Sequence, residues 1–151
     1  MNLPIYFDYQ ATTPVDQRVL DTMLPYFTSA YGNAASRSHA FGWKAEEAVD
    51  TARDQIASIL GASSKEVVFT SGSTEAINLG LFGALNSGDR VVTTSMEHNA
   101  VVRPLQALSN QGVDVVRVAA DALGLVSPLA IREACVPGTR LVIMTHCSNV
   151  S

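Results

Sequence analysis

The chain has 151 residues, 47% of them apolar and 16% charged, with a formal net charge of -4. That length and composition suit one globular domain with a real core and exclude a disordered polypeptide. The basic residues are scattered, which gives no electrostatic footprint for nucleic acid or an anionic membrane, and charges and prolines interrupt every apolar run before it could span a bilayer.

The first residues, Met-Asn-Leu-Pro-Ile-Tyr, carry no basic segment followed by a long apolar run, so no secretory signal is expected. Cys135 and Cys147 lack a metal-ligand spacing and read as two reduced thiols, with no metal expected. A cytoplasmic location is the resulting expectation.

Taken in chain order, residues 1–14 form an arm with a brief extended stretch at Ile5-Tyr6-Phe7-Asp8. Asp16 is placed to cap a helix running to about Ala30, whose stripe is Val19, Leu20, Met23, Leu24 and Phe27. Pro25 should bend or shorten it. A loop follows at residues 31–36. From about Ser38 to Leu60, apolar residues recur at three-to-four spacing, with Ser36 or Ser38 as the cap and Gly61 as the stop.

Beyond Gly61 the pattern changes to short apolar runs alternating with helical stretches. Strands are predicted at residues 67–70, 90–94, 114–118 and 141–145. Helices are predicted from the 71–74 turn to about Leu85, from about Asn99 to Gln111, and from about Ser127 to Ala134. Continuous apolar strands imply burial on both faces, hence a mainly parallel α/β sheet with crossover helices. In such sheets ligands gather at the carboxyl ends of the strands. Here those ends carry Thr70-Ser71-Gly72, Ser95-Met96-Glu97-His98 and His146-Cys147-Ser148-Asn149.

The first of these ends resembles an anion site. A small-residue turn with Ser71, Gly72, Ser73 and Thr74 opens a helix, where free N–H groups and the helix dipole favour negative charge. No Gly-Lys-Ser/Thr follows, and the spaced glycines of a dinucleotide fingerprint are missing. An ordinary hydroxyl-capped turn fits the same local pattern. Asn99 reads as the cap of the next helix, with Pro104 near its first turn, which places His98 on a strand-end loop as a candidate acid or base. Asn149 offers a ligand both a donor and an acceptor. Lysine is scarce, and Lys44 and Lys65 both read as solvent-facing.

Five motifs in one order carry a family resemblance: Asp8-Tyr9-Gln10-Ala11-Thr12-Thr13-Pro14, Gly32-Asn33-Ala34-Ala35-Ser36-Arg37-Ser38-His39, the Ser71-Gly72-Ser73-Thr74 turn, Glu97-His98 and His146-Cys147-Ser148-Asn149. Together they resemble the N-terminal portion of a cysteine desulfurase, within the class V aminotransferase family of pyridoxal-phosphate enzymes of fold type I. The resemblance covers essentially the whole chain. It implies that residues 1–14 are an arm and residues 15–151 the first part of a truncated cofactor-binding large domain.

By the same resemblance, Ser73 and Thr74 hold the phosphate of pyridoxal 5'-phosphate. His98 stacks on its ring and serves as the catalytic histidine, and Asn149 hydrogen-bonds near the ring hydroxyl. L-cysteine is the implied substrate, with alanine and an enzyme persulfide as products. A sulfur-acceptor protein and a second copy of the chain are the implied partners. The Schiff-base lysine, the aspartate paired with the pyridine nitrogen, the persulfide-bearing cysteine and the carboxylate-gripping arginine match no residue here. The isolated chain is therefore expected to be inactive. Ala34 stands where the family loop usually has proline, and Cys147 matches a variable position. Two alternatives stay open: another class V enzyme, such as a selenocysteine lyase or an aminotransferase, and a non-catalytic module that binds a phosphate ligand or a partner chain.

Overall fold

The computed structural model describes residues 4–148. The chain divides into two compact units, Met1–Phe69 and Thr70–Ser151.

The first unit holds two helices, α1 (Gln17–Thr28) and α2 (Ala40–Leu60), and a single 3-10 turn at Ser64–Glu66. Asp16 caps α1 as expected, accepting from the Arg18 N–H at 2.9 Å. The Arg18 guanidinium beside it holds the Asp16 carboxyl below its ordinary value. Helix α1 continues three residues past Pro25, whose carbonyl still accepts from Ser29 and Ala30. A proline ring removes one donor and crowds one upstream carbonyl, and an exposed helix leaves that carbonyl to water.

Helix α2 begins later than the serines suggest. Its cap is His39, whose Nδ1 accepts from the Gly42 N–H at 3.1 Å. Gly42 is required there, because a Cβ would fall 1.7 Å from the Ser36 carbonyl oxygen. Gly61 closes the helix in the left-handed region at φ 65°. The predicted strand at residues 67–70 is absent. The backbone is extended at Val67, but no described strand pairs with the segment. Arg53 anchors it instead, donating to the Val67 carbonyl and lying 4.8 Å from the Phe69 ring centroid. A strand requires a ladder partner as well as an apolar run, and here the run has none. The Ile5–Asp8 stretch of the arm likewise forms no strand.

The second unit is a parallel α/β layer. It contains α3 (Ser73–Ala84), β1 (Arg90–Thr94), α4 (Asn99–Asn110), β2 (Asp114–Val118), α5 (Pro128–Ala134) and β3 (Thr139–Val142). The strands lie in the order β2-β1-β3, and both pairings are parallel. Thus the expected parallel sheet with helical connections forms from three strands. Central β1 is buried on both faces: Val91 and Val92 are 0% exposed and Thr93 is 1% exposed. On one face Val91 packs with Leu81 and Leu85 from the α3 side and with Val101, Leu105 and Leu108 of α4.

Strand β3 starts and stops earlier than the predicted 141–145. Its ladder has an irregularity between Arg90 and Val91, and its last bond runs from the Ile143 N–H to the Val92 carbonyl at 3.0 Å. Thr145 then leaves the sheet because a carboxylate takes its N–H and hydroxyl.

Leu105 is 1% exposed and Leu123 is 82% exposed. In urea unfolding, Leu105→Ala is expected to cost about 2–5 kcal/mol through lost transfer energy and a cavity. Leu123→Ala should stay within about 0.5 kcal/mol.

Candidate cofactor site

Helix α3 starts on a residue without a side chain. Its N-cap is Gly72, no side chain caps it, and a Cβ at Gly72 would meet nothing within 4 Å. The first internal backbone bond runs from Ala76 N–H to the Gly72 carbonyl. Among the described residues, the N–H groups of Ser73, Thr74 and Glu75 therefore have no acceptor. Three free N–H donors at the positive end of a helix dipole can hold an anion.

Ser71 is no part of that free donor set. Its N–H and hydroxyl both donate to one Glu75 carboxylate oxygen, each at 2.6 Å. These two bonds hold the Glu75 carboxyl below its ordinary value of 4.5. The turn thus carries its own anion on one side and leaves the Thr74 side open.

Thr74 lines a cleft of about 460 Å³. Along α3 the wall is Thr74, Asn78 and Phe82 at four-residue spacing; along α4 it is His98, Arg103 and Ala107. The Asn78 side chain donates back to the Thr74 carbonyl at 2.7 Å. Ser73, the first residue of α3, is exposed and stands beside the cleft without lining it.

His98, and not Asn99, caps α4. Its Nδ1 accepts from the Ala100 N–H at 3.0 Å. A ring nitrogen accepts only through a free lone pair, so the cap uses Nδ1 and leaves Nε2 to carry the ring proton. Asn99 is the first helical residue, and Pro104 lies inside the helix, not near its start.

A second cleft of about 290 Å³ has His98 on its wall too, with Ser95, Glu97, Thr145 and Ser148. Here the strand ends meet. Ser95 ties β1 to the end of β2: its N–H donates to the Val118 carbonyl, and its hydroxyl accepts from Ala120 N–H, both at 2.9 Å. The Glu97 carboxylate accepts from the Thr94 hydroxyl, from the Thr145 N–H at 3.0 Å and from the Thr145 hydroxyl at 2.8 Å. Sequence reasoning used Glu97 only as part of a motif. The available signal was an acidic residue just past a buried strand, with threonines at two strand ends to serve as donors.

The structure therefore brings Thr74 and His98 to one cleft. Asn149 lies outside the described residues. His146 and Cys147 are exposed on the loop leading toward it, and Cys135 and Cys147 are free thiols. No group of three or more potential metal ligands occurs among the described residues, and no described helix is long and apolar enough to cross a membrane.

A family model described as Aminotransferase class-V matches residues 5–151. The chain belongs to this family. Among its relatives, it is 51% identical to "Cysteine desulfurase IscS" of Anaeromyxobacter sp. (strain K) and 46% identical to that of Serratia proteamaculans (strain 568). Each match covers 99% of this chain but 38% of the relative. Solved structures share the fold. A "NIFS-LIKE PROTEIN" superposes with a TM-score of 0.85 at 34% identity, over 97% of this chain and 41% of the other. "SspA in complex with cysteine" gives 0.85 at 36% identity, over 95% and 42%. The apo cysteine desulfurase of Thermococcus onnurineus NA1 gives 0.83 at 30% identity, over 96% and 37%.

The Glu75 bonds set a sign. A carboxyl lowered in the fold adds stability above its unfolded value of 4.5, and that contribution is lost as pH falls through the lowered folded value. In an NMR titration, Glu75 should therefore titrate below 4.5. Ser71→Ala, which removes one of the two donors, should move the midpoint upward.

Proposed function

We propose that this chain is the first part of a pyridoxal-phosphate-dependent cysteine desulfurase, supplying the phosphate cradle and the imidazole that faces the cofactor ring. The observation that carries this reading is the shared cleft. Thr74, in the first turn of a helix that no side chain caps, and His98 line one cavity of about 460 Å³. The donor set suits the group. A phosphate monoester needs several N–H and O–H donors without a competing carboxylate, and Ser73, Thr74 and Glu75 offer backbone N–H groups while Glu75 turns its carboxylate to Ser71. A planar heteroaromatic ring packs on a flat neighbour, which the His98 imidazole provides.

When bound, the cofactor supplies an electron sink for chemistry at the substrate amino acid. The chain's own residues bind and orient it. Thr74 and the α3 N–H groups anchor the phosphate, and Ser73 contributes its N–H and an exposed hydroxyl. His98 holds its proton at Nε2, the nitrogen not engaged in the cap, and can exchange a proton there with the reacting molecule. Asn149 adds a hydrogen bond near the ring hydroxyl. In this reading residues 1–14 are an arm and residues 15–151 the beginning of the large domain. The substrate is L-cysteine, which leaves as alanine after giving its sulfur to a thiolate of the whole enzyme. A sulfur-acceptor protein of iron–sulfur or related pathways, a homodimer and a cytoplasmic location belong to the same reading. Lys44 and Lys65 are exposed residues of the first unit and match no role in the site.

Titration of the chain with pyridoxal phosphate, followed by absorbance, tests the proposal. Saturable binding is expected. Thr74→Val and His98→Ala should each weaken it about tenfold or more, the scale of a lost hydrogen bond to a charged group or a lost ring contact. Ser58→Ala, on an exposed position of α2, should leave it unchanged. Sulfide release from L-cysteine by this chain alone should stay at background. Binding that ignores both Thr74 and His98 would overturn the site.

A further inference from the structure

We infer that Glu97 is the positioning residue of this site: its carboxylate clasps the loops that leave β1 and β3 and so sets where the His98 imidazole stands. The inference rests on the cofactor reading above for its purpose, but not for its geometry.

The hydrogen bonds have one consistent polarity. One carboxylate oxygen, Oε1, accepts from the Thr94 hydroxyl and the Thr145 N–H; the other, Oε2, accepts from the Thr145 hydroxyl. The Thr94 oxygen in turn accepts from the Met96 N–H at 3.1 Å, so its single proton is committed to Glu97. An ionised carboxylate is acceptor-only, and all three of its partners are donors. Its three described bonds come from hydroxyls and an N–H rather than from a cation. Directional bonds to placed donors fix geometry more closely than an ion pair between flexible side chains.

The clasp acts where the sheet no longer does. The last backbone bond between β1 and the β3 chain is at Ile143, two residues before Thr145. Among the described hydrogen bonds, only those of Glu97 tie residues 144–147 to the loop after β1. That loop continues directly into His98. The imidazole is thus held from two sides, through its Nδ1 by Ala100 N–H and through the adjoining backbone by Glu97. Ser148 reaches the wall of the His98 cleft at the end of the clasped segment. Glu97 itself is half-buried beside that cleft and lies outside the one that Thr74 lines. It therefore acts through His98 and the 145–148 loop.

The test compares the full chain with Glu97→Ala, Glu97→Gln and Thr145→Val. Three readouts are used: amide exchange at Thr145, the imidazole ¹⁵N shifts of His98, and affinity for pyridoxal phosphate. Glu97→Ala should speed Thr145 exchange at least about tenfold, the scale of a lost bond to a charged acceptor. It should also blur the single Nε2–H tautomer of His98 and weaken cofactor binding by a similar factor. Glutamine keeps an acceptor for the Thr145 N–H, and the Thr145 hydroxyl can turn to accept from its amide, so Glu97→Gln should restore most of all three signals. Thr145→Val removes one of the three donors and should shift the same readouts less, which keeps the inference testable if Glu97→Ala does not fold. Wild-type exchange and wild-type His98 shifts in Glu97→Ala would overturn the inference. So would a Glu97→Gln variant as damaged as Glu97→Ala, or a Thr145→Val variant that moves none of the readouts. Exchange and tautomer changes as expected, in a chain that binds no pyridoxal phosphate even as wild type, would support the clasp and overturn the cofactor reading instead.

Discussion

Burial of β1 on both faces is the constraint from which the rest of the second unit follows. A strand with Val91, Val92, Thr93 and Thr94 all out of water must be paired on both edges and covered on both sides. Parallel pairing with β2 and β3 meets the first demand, and the α3–α4 layer covers one face. Parallel strands share one carboxyl end, so the three chains leave the sheet together. Their polar loops then have one another as the nearest partners, and Ser95 and Glu97 make those contacts.

Helix ends supply the electrostatics. Among the described residues, Asp16, His39, His98 and Ser127 each cap a helix through a side-chain acceptor, while α3 begins on Gly72 with none. An unsatisfied helix start exposed to solvent costs little, because water takes the N–H groups. It also leaves them available to an anion. Glu75 sits in the first turn, where the dipole favours its charge, yet its carboxylate bends back to Ser71. The open side of the turn is consequently the Thr74 side, which faces the cleft shared with His98.

The first unit is organised differently. Its buried helical residues are few and small, Gly42, Ala45 and Ala57. Phe27, Ile59 and Leu60 are largely exposed. Local devices give it much of its order: the Asp16 and His39 caps, the left-handed Gly61, the Ser63–Glu66 capping box and the Arg53 anchor. These bonds close over short sequence distances, which is why most of this unit's helix boundaries could be read from composition and spacing. The cap expected at Ser36 or Ser38 is the exception here, as the one expected at Asn99 is in the second unit. Histidine is an uncommon cap, and its choice at positions 39 and 98 depends on a ring nitrogen reaching a specific N–H.

The sequence by itself determined the helices, the strands at residues 90–94 and 114–118, the parallel α/β class and the family, because periodicity, stop signals and ordered motifs are local in the chain. Position in space decided the remainder. Residues 67–70 have the composition of a strand but no ladder partner among the described residues, and a ladder is a property of two segments. Strand β3 ends at Val142 because Thr145 is drawn to a carboxylate 48 residues upstream, a contact that no window of sequence contains. The same long-range closure put Thr74 and His98 on one cleft and gave Glu97 its place between two strand ends.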